Sequence, residues 1–325
     1  MTRYLARRLA FAILLVAGVS SGSFVLARLA PGDFVSQSIG TDASPKTIAR
    51  ARARLGLDKS IAAQYREWLA SAVRLDFGNS MQYDRPVRGL IAERSANTAV
   101  LALTALALAT LIGLPLGVVA GSRHGGVPAA AIRAASLLLL SMPPLLTSLL
   151  LVFISARTGW LPIAGMRSAS AAPSGLTLDL IRHLVVPALA IGLPIAAMLE
   201  RLQAQAMRDV IGEPFVLAAL ARGVPRSRVV WRGALKASLR SIAGVYGLIV
   251  GTVLSGSFAV EVITAWPGLG ALMLQALRAR DIYLVAGCAG AGALFLALGT
   301  LVSDIALALV DPRASADAMQ EERAA

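Results

Sequence analysis

SANTAVLALTALALATLIGLPLGVVAGS, residues Ser95–Ser122, is a run of 28 residues without a charged side chain, bounded by Arg94 and Arg123. About 20 predominantly apolar residues cross a bilayer core as a helix. A helix is also the only form in which a lone segment satisfies its backbone polar groups there. The same pattern recurs along the chain. Leu9–Ala27 has 19 uncharged residues, Ala134–Ala156 has 23, Leu184–Leu199 has 16, Ser241–Val260 has 20 and Ile282–Ser303 has 22. These runs predict an all-α integral membrane protein with about six transmembrane helices. The fourth run is short, but Arg182 and Arg201 at its ends can snorkel to the headgroups. Its Pro187 and Pro194 are tolerated where neighbouring helices satisfy the freed carbonyls. A further run, Val262–Leu277, is interrupted by Trp266-Pro-Gly-Leu-Gly270, so it reads as an interfacial or re-entrant helix rather than a continuous span.

Composition agrees. Mean hydropathy is +0.70 and 57% of the residues are hydrophobic, which places the chain in the membrane class. The formal charge of +13 arises from 31 Lys and Arg against 18 acids. These cations flank the apolar runs, so inward-facing loops and anionic lipid account for them better than nucleic acid does. One cysteine, Cys288, lies in an apolar run. It can form neither an intrachain disulfide nor a thiolate metal cluster. The first run follows Arg3, Arg7 and Arg8 as in a signal peptide. At 19 residues without a clean Ala-x-Ala site it reads as a retained span with a cytoplasmic N-terminus.

Counting spans from there puts loops 123–133 and 201–240 and the tail 314–325 in the cytoplasm, and 31–94 and 261–281 outside. Segment 200–240 carries eight basic residues against Glu200, Asp209 and Glu213, as the positive-inside rule requires. The outer segment 31–94 is long enough to fold. Ser44 and Pro45 suit the N-cap and first position of a helix. Leu55–Asp58 and Gln64–Leu69 read as short amphipathic pieces, with Tyr65 and Trp68 near the interface. The division expected is an N-terminal span at 1–30, a small helical extracytoplasmic lobe at 31–94, a membrane domain at 95–313 that includes loop 201–240, and the tail at 314–325.

Catalytic and nucleotide-binding patterns are missing. No glycine precedes a lysine, so there is no phosphate-cradling Gly-x-x-x-x-Gly-Lys loop, and His-Glu-x-x-His is absent. His124 and His183 stand at span edges on opposite expected sides and read as structural. Glu200, Glu261 and Asp304 fall at run edges as solvated or paired boundary acids, so an ion-coupling site is not supported. No cofactor or metal site is expected in this chain.

What the loop does contain is Glu213-Pro-Phe-Val-Leu-Ala-Ala-Leu-Ala-Arg-Gly-Val-Pro225. Pro214 suits the first helical position, Gly223 a left-handed close and Pro225 a stop. The apolar helix between them either packs on its own membrane domain or docks on another protein. After it, Arg228, Arg232, Lys236 and Arg240 recur every four residues, which on one α-helix makes a basic stripe. That stripe faces either inner-leaflet lipid or a partner.

Phe215-Val-Leu-Ala-Ala-Leu-Ala-Arg-Gly223 resembles the Glu-Ala-Ala…Gly coupling loop of bacterial ABC-importer permeases, in the form found in the dipeptide/oligopeptide/nickel group. Other pieces resemble that group in order: Tyr4–Leu9, Leu29–Asp33, Arg54–Lys59, Asp76–Ser80, Gly113–Gly117, Ser141–Pro143, Trp160–Pro162, Leu184–Pro187, Trp266–Gly270, Arg280-Asp281 and Asp311–Arg313. The resemblance implies a pore subunit, not an enzyme. It implies that Phe215, Ala218, Ala219, Ala221, Arg222, Gly223 and Val224 dock on an ATPase. It also implies a second homologous permease, two ATP-binding subunits that hold ATP and Mg, and an extracytoplasmic solute-binding protein. Short peptides are the expected cargo, with nickel chelates or another small solute as alternatives. A self-sufficient secondary transporter or channel is the reading from a different class. Leu217 and Leu220 depart from the group, which often has polar or basic residues there, and imply a more apolar partner groove. Phe34 and Ser60 replace common prolines, and Leu75 replaces a glycine.

Overall fold

Prolines and left-handed residues decide where this chain's apolar runs become helices and where they break. The computed structural model describes residues 2–39, 44–123, 125–168 and 178–310. His124, Asp311–Arg313 and the tail 314–325 lie outside the described residues, as do the side chains of Arg240 and Asp304. Cα packing divides the chain into two units, one made of residues up to 99 with 265–297, the other of 100–264 with the chain from 298 onward.

In the first unit, α1 (Thr2–Leu29) covers the first apolar run. The outer segment folds as α2 (Phe34–Ile39), α3 (Pro45–Arg54) and α4 (Ile61–Ala72). Ser44 caps α3 by accepting from the Thr47 amide, with Pro45 at the first position. Ser60 caps α4 by accepting from the Ala63 amide, so the serine that replaces a proline still starts the helix. Leu55–Asp58 is not an amphipathic helical piece. It is the turn that ends α3, with Gly56 at φ +68 and Leu57 buried beneath it. Trp68 packs into the protein rather than standing exposed. It is buried and stacks on Phe24 of α1, with ring centroids 5.0 Å apart, a contact worth about 0.5–1.5 kcal/mol beyond its area. Tyr65, Leu57, Val35 and Ile282 complete this core. Asp33 accepts from Arg52 at 2.6 Å. Burial opposes ionisation of Asp33, but the Arg52 and Ser36 hydrogen bonds hold its carboxyl below the usual carboxylate range.

The run 262–277 is broken, as expected. α12 (Phe258–Ile263) stops at Thr264, Ala265 is left-handed at φ +49, and α13 (Leu269–Ala279) is 11 residues long, too short to cross. The indole N–H of Trp266 donates to Asn97 O at 3.0 Å, the Asn97 amide donates to Pro267 O at 2.8 Å, and the Leu269 amide donates to Thr98 Oγ1 at 2.7 Å. Asp281 is fully buried and caps α14 (Ile282–Val310) by accepting from the Leu284 amide. It also accepts from the Ser80 hydroxyl at 2.6 Å and from the Gln82 amide. Segments 31–94 and 265–281 are therefore fastened together.

The second unit is built on long helices. α5 (Val87–Ser122) begins in the first unit and carries the opening 28-residue run. The third run is not one straight span. Met142 is extended before Pro143, and Pro144 starts a new helix, since a residue preceding proline is disfavoured in the α region. The result is α6 (Val127–Ser141) and α7 (Pro144–Thr158), bent by 102°. The short fourth run becomes α8 (Leu178–Ile211), 34 residues with Pro187 and Pro194 inside. α11 (Leu235–Gly256) holds most of the fifth run. Among the described residues four helices are long and apolar enough to span, or five if α6 and α7 are one bent span.

α5 and α8 meet along Gly113, Gly117 and Gly121. A Cβ at Gly117 would lie 2.6 Å from Glu200 O and from Gln203 Cβ, and at Gly121 it would lie 2.5 Å from Ala204 O. Glycine at one-turn spacing lets two backbones approach closely, the main attraction between helices where lipid removes the hydrophobic drive. Gln203 then donates to Ser238 at 2.8 Å, tying α8 to α11. Thr110 on α5 and Tyr246 on α11 share a further hydroxyl hydrogen bond.

Candidate functional site

The punctuated loop folds as its sequence dictates. α9 (Pro214–Ala221) starts at Pro214 behind Glu213. It closes with Gly223 at φ +79. The Gly223 amide donates to Leu220 O at 2.9 Å and the Val224 amide to Ala219 O at 3.2 Å. Those are the two bonds of a Schellman close, and Val224 packs back near Ala219 in the same cluster, its usual hydrophobic accompaniment.

Two faces of this short helix differ. Val216 is buried, and with Ala219 and Val224 it packs among Val118 of α5, Met207 of α8 and Val229, Val230 and Ala234. On the other side Phe215 is 48% exposed, Leu217 56% and Leu220 39%. Leu217 and Leu220 line a cavity of about 300 Å³ with Arg208, Arg226 and Val229. Of the alternatives left open by the sequence, packing on its own membrane domain is seen on the Val216 face, while the opposite face is apolar and exposed. Of the seven expected docking residues, Phe215, Ala218, Ala221, Arg222 and Gly223 are exposed, whereas Ala219 and Val224 turn toward the protein's own helices.

The loop is fastened to the spans. Arg226 donates to Ser122 O at the end of α5, at 3.0 Å, so loops 123–133 and 201–240 share a membrane side. After α10 (Arg226–Arg228), Val229–Ala234 forms a π-helical turn before α11. The expected uniform α-helical stripe is thus interrupted, because π-turns lengthen the repeat beyond four residues. Arg228, Arg232 and Lys236 nevertheless remain exposed.

The boundary acids behave differently from the sequence expectation. α8 continues three turns past the fourth run, and Glu200 lies inside its seam with α5. It is 1% exposed, and neither carboxylate oxygen has a hydrogen-bond partner. Glu261 is fully buried and accepts from the Ser257 hydroxyl at 3.0 Å. Sequence hydropathy missed both because it scores length, not which helix face a residue takes. His183 is buried, with Nδ1 2.8 Å from Asp179 O. Among the described residues no three His, Cys, Asp or Glu side chains form a metal-holding group.

Two family models match in chain order. The binding-protein-dependent transport system membrane component N-terminal model matches residues 1–102, and the binding-protein-dependent transport system inner membrane component model matches residues 113–316. The chain is 30% identical over 315 residues to the oligopeptide transport system permease protein AppB of Bacillus subtilis, covering 96% of this chain and 99% of that protein. It is 32% identical over 331 residues to the di/tripeptide transport system permease protein DppB of Pseudomonas aeruginosa, covering 96% and 98%. Its fold is similar to a chain of the MetNI methionine ABC transporter in inward-facing conformations, at TM-score 0.52 and 16% identity, over 68% of this chain and 96% of that one. By both models and by relatives matched almost end to end, this chain is a multi-pass member of the binding-protein-dependent transport system inner membrane component family, a permease subunit of the ABC type.

Proposed function

We propose that this chain forms half of the translocation pore of an ATP-driven importer of short peptides. The peptide assignment is supported by the names of relatives such as AppB and DppB. In this reading a second homologous permease completes the pore, and two separate subunits bind ATP and Mg and hydrolyse ATP. An extracytoplasmic solute-binding protein delivers cargo to the 31–94 and 265–281 side. Both termini and the α9 loop are then cytoplasmic.

The observation that carries the reading is the two-faced α9. Its Val216 face is locked to α5, α8 and the start of α11, while Phe215, Leu217 and Leu220 present an apolar surface. A nucleotide-driven movement of a protein seated on that surface passes directly into three helices. Such coupling needs contacts that differ between the two states of the partner, not contact alone. Phe215→Asp, on the exposed face, is expected to leave membrane insertion intact, to lower co-purification of the ATPase subunits at least tenfold, and to abolish ATP-driven peptide uptake in proteoliposomes. Unchanged co-purification and uptake would rule out the docking role.

A further inference from the structure

Inside the first unit, α2, the turn at Gln82 and α13 border an open, shallow cleft of about 530 Å³. Gln37, Ser38, Gln82, Gln275 and Arg278 line it, and Phe34 forms an apolar wall; among the described residues that line it none is acidic. Two of the polar contributors are held by the surrounding structure. The Tyr83 hydroxyl donates to Gln275 Oε1 at 2.6 Å, which occupies one lone pair of that amide oxygen and leaves its N–H₂ for a ligand. The Gln82 backbone is held by Asp281, and the Gln82 side chain is exposed beside it. Arg278 is exposed in the last turn of α13 and makes no ion pair among the described residues. The cleft is thus rich in donors and carries one guanidinium without an ion pair among the described residues. Its complement is an anion with in-plane oxygens flanked by further acceptors, and a guanidinium fork matches a carboxylate in two parallel hydrogen bonds.

We infer that this cleft binds the C-terminal carboxylate of a peptide on its way to the pore. Arg278 takes the carboxylate, Gln275 and Gln82 pair with the adjoining peptide groups, and Phe34 faces an apolar side chain. The inference rests on the peptide-import reading and on the outer placement of this side of the molecule. Phe34 also stands where the related group often has proline, so the apolar wall is a feature of this chain.

The test uses the complete transporter in nanodiscs without solute-binding protein, and the probes are the tripeptide Ala-Ala-Phe and its C-terminal amide. The wild type is expected to bind the free acid at least tenfold more tightly than the amide. Arg278→Gln is expected to remove that preference by a tenfold or greater loss for the acid alone, and Arg278→Lys to keep part of it. Equal wild-type affinities for acid and amide, or an unchanged preference in Arg278→Gln, would overturn the site. If Arg278→Gln instead leaves peptide binding unchanged and raises only the solute-binding-protein concentration giving half-maximal ATP hydrolysis, the cleft is a protein contact and the proposal also fails. Wild-type ATP-driven uptake of the same tripeptide, measured in parallel in proteoliposomes supplied with the solute-binding protein, separates the two ideas. Its absence refutes peptide import itself, whereas its presence with no acid preference refutes only the cleft.

Discussion

Leu75 and Gly223 both occupy the left-handed region, at φ +61 and +79, and only one of them is glycine. A Cβ in that conformation crowds the following carbonyl and costs roughly 1–2 kcal/mol. Leu75 is 62% exposed, so its side chain contributes little burial to offset that strain. Leu75→Gly is expected to stabilise the protein by about 1 kcal/mol or less, because part of the gain is returned as unfolded-state entropy. Gly223→Leu should destabilise the α9 loop by about 1–2 kcal/mol, although no atom lies within 4 Å of the new Cβ. Thermal unfolding in detergent, followed by hydrogen exchange over 68–80 and 213–228, checks both signs. The Gly223 requirement was legible in the sequence, since glycine between an apolar helix and a proline signals a left-handed close. The strain at Leu75 was visible only as a departure from a related pattern. The left-handed turn itself emerged from the folded backbone.

At the scale of elements, spans were legible and their breaks less so. Uncharged run length fixed α5, α1 and the start of α14 well, because lipid imposes one length on every crossing helix. It placed α8 too short, since the arginines and Glu200 that ended the run sit on a helix continuing to Ile211. It also read Ala134–Ala156 as one helix although Pro143 and Pro144 were in plain view, because single prolines are survivable in membrane helices. Two in succession leave Met142 extended and turn the chain by 102°. The α5–α8 seam was not legible from hydropathy, which does not distinguish a glycine at a helix crossing from one facing lipid. That seam predicts that Gly117→Ala, whose Cβ would press on Glu200 O and Gln203 Cβ at 2.6 Å, destabilises the membrane domain by about 1–3 kcal/mol. The same change at Gly22 of α1, which has nothing within 4 Å, should be neutral. Thermal denaturation of the two variants side by side makes the comparison. Equal behaviour would mean that the seam is looser than its geometry implies.

For the whole molecule, the proposed division of work between this chain and others rests on the missing phosphate loop and the two-faced α9. Sequence alone could not say whether α9 served its own domain or a partner, because both faces are apolar. Packing distinguishes the faces by burying Val216 and leaving Phe215, Leu217 and Leu220 exposed, and the proposed docking role is assigned to the exposed one. The chain offers a clean way to probe that surface, since its only cysteine, Cys288, is buried. In Leu217→Cys the new thiol is the accessible one. The decisive measurement is thiol-directed cross-linking of Leu217→Cys within the assembled transporter, with and without ATP. The account predicts a cross-link from residue 217 to an ATP-binding subunit, with a yield that changes on ATP binding. A full complex in which residue 217 is labelled freely by a soluble thiol reagent and cross-links to no ATP-binding subunit would contradict it.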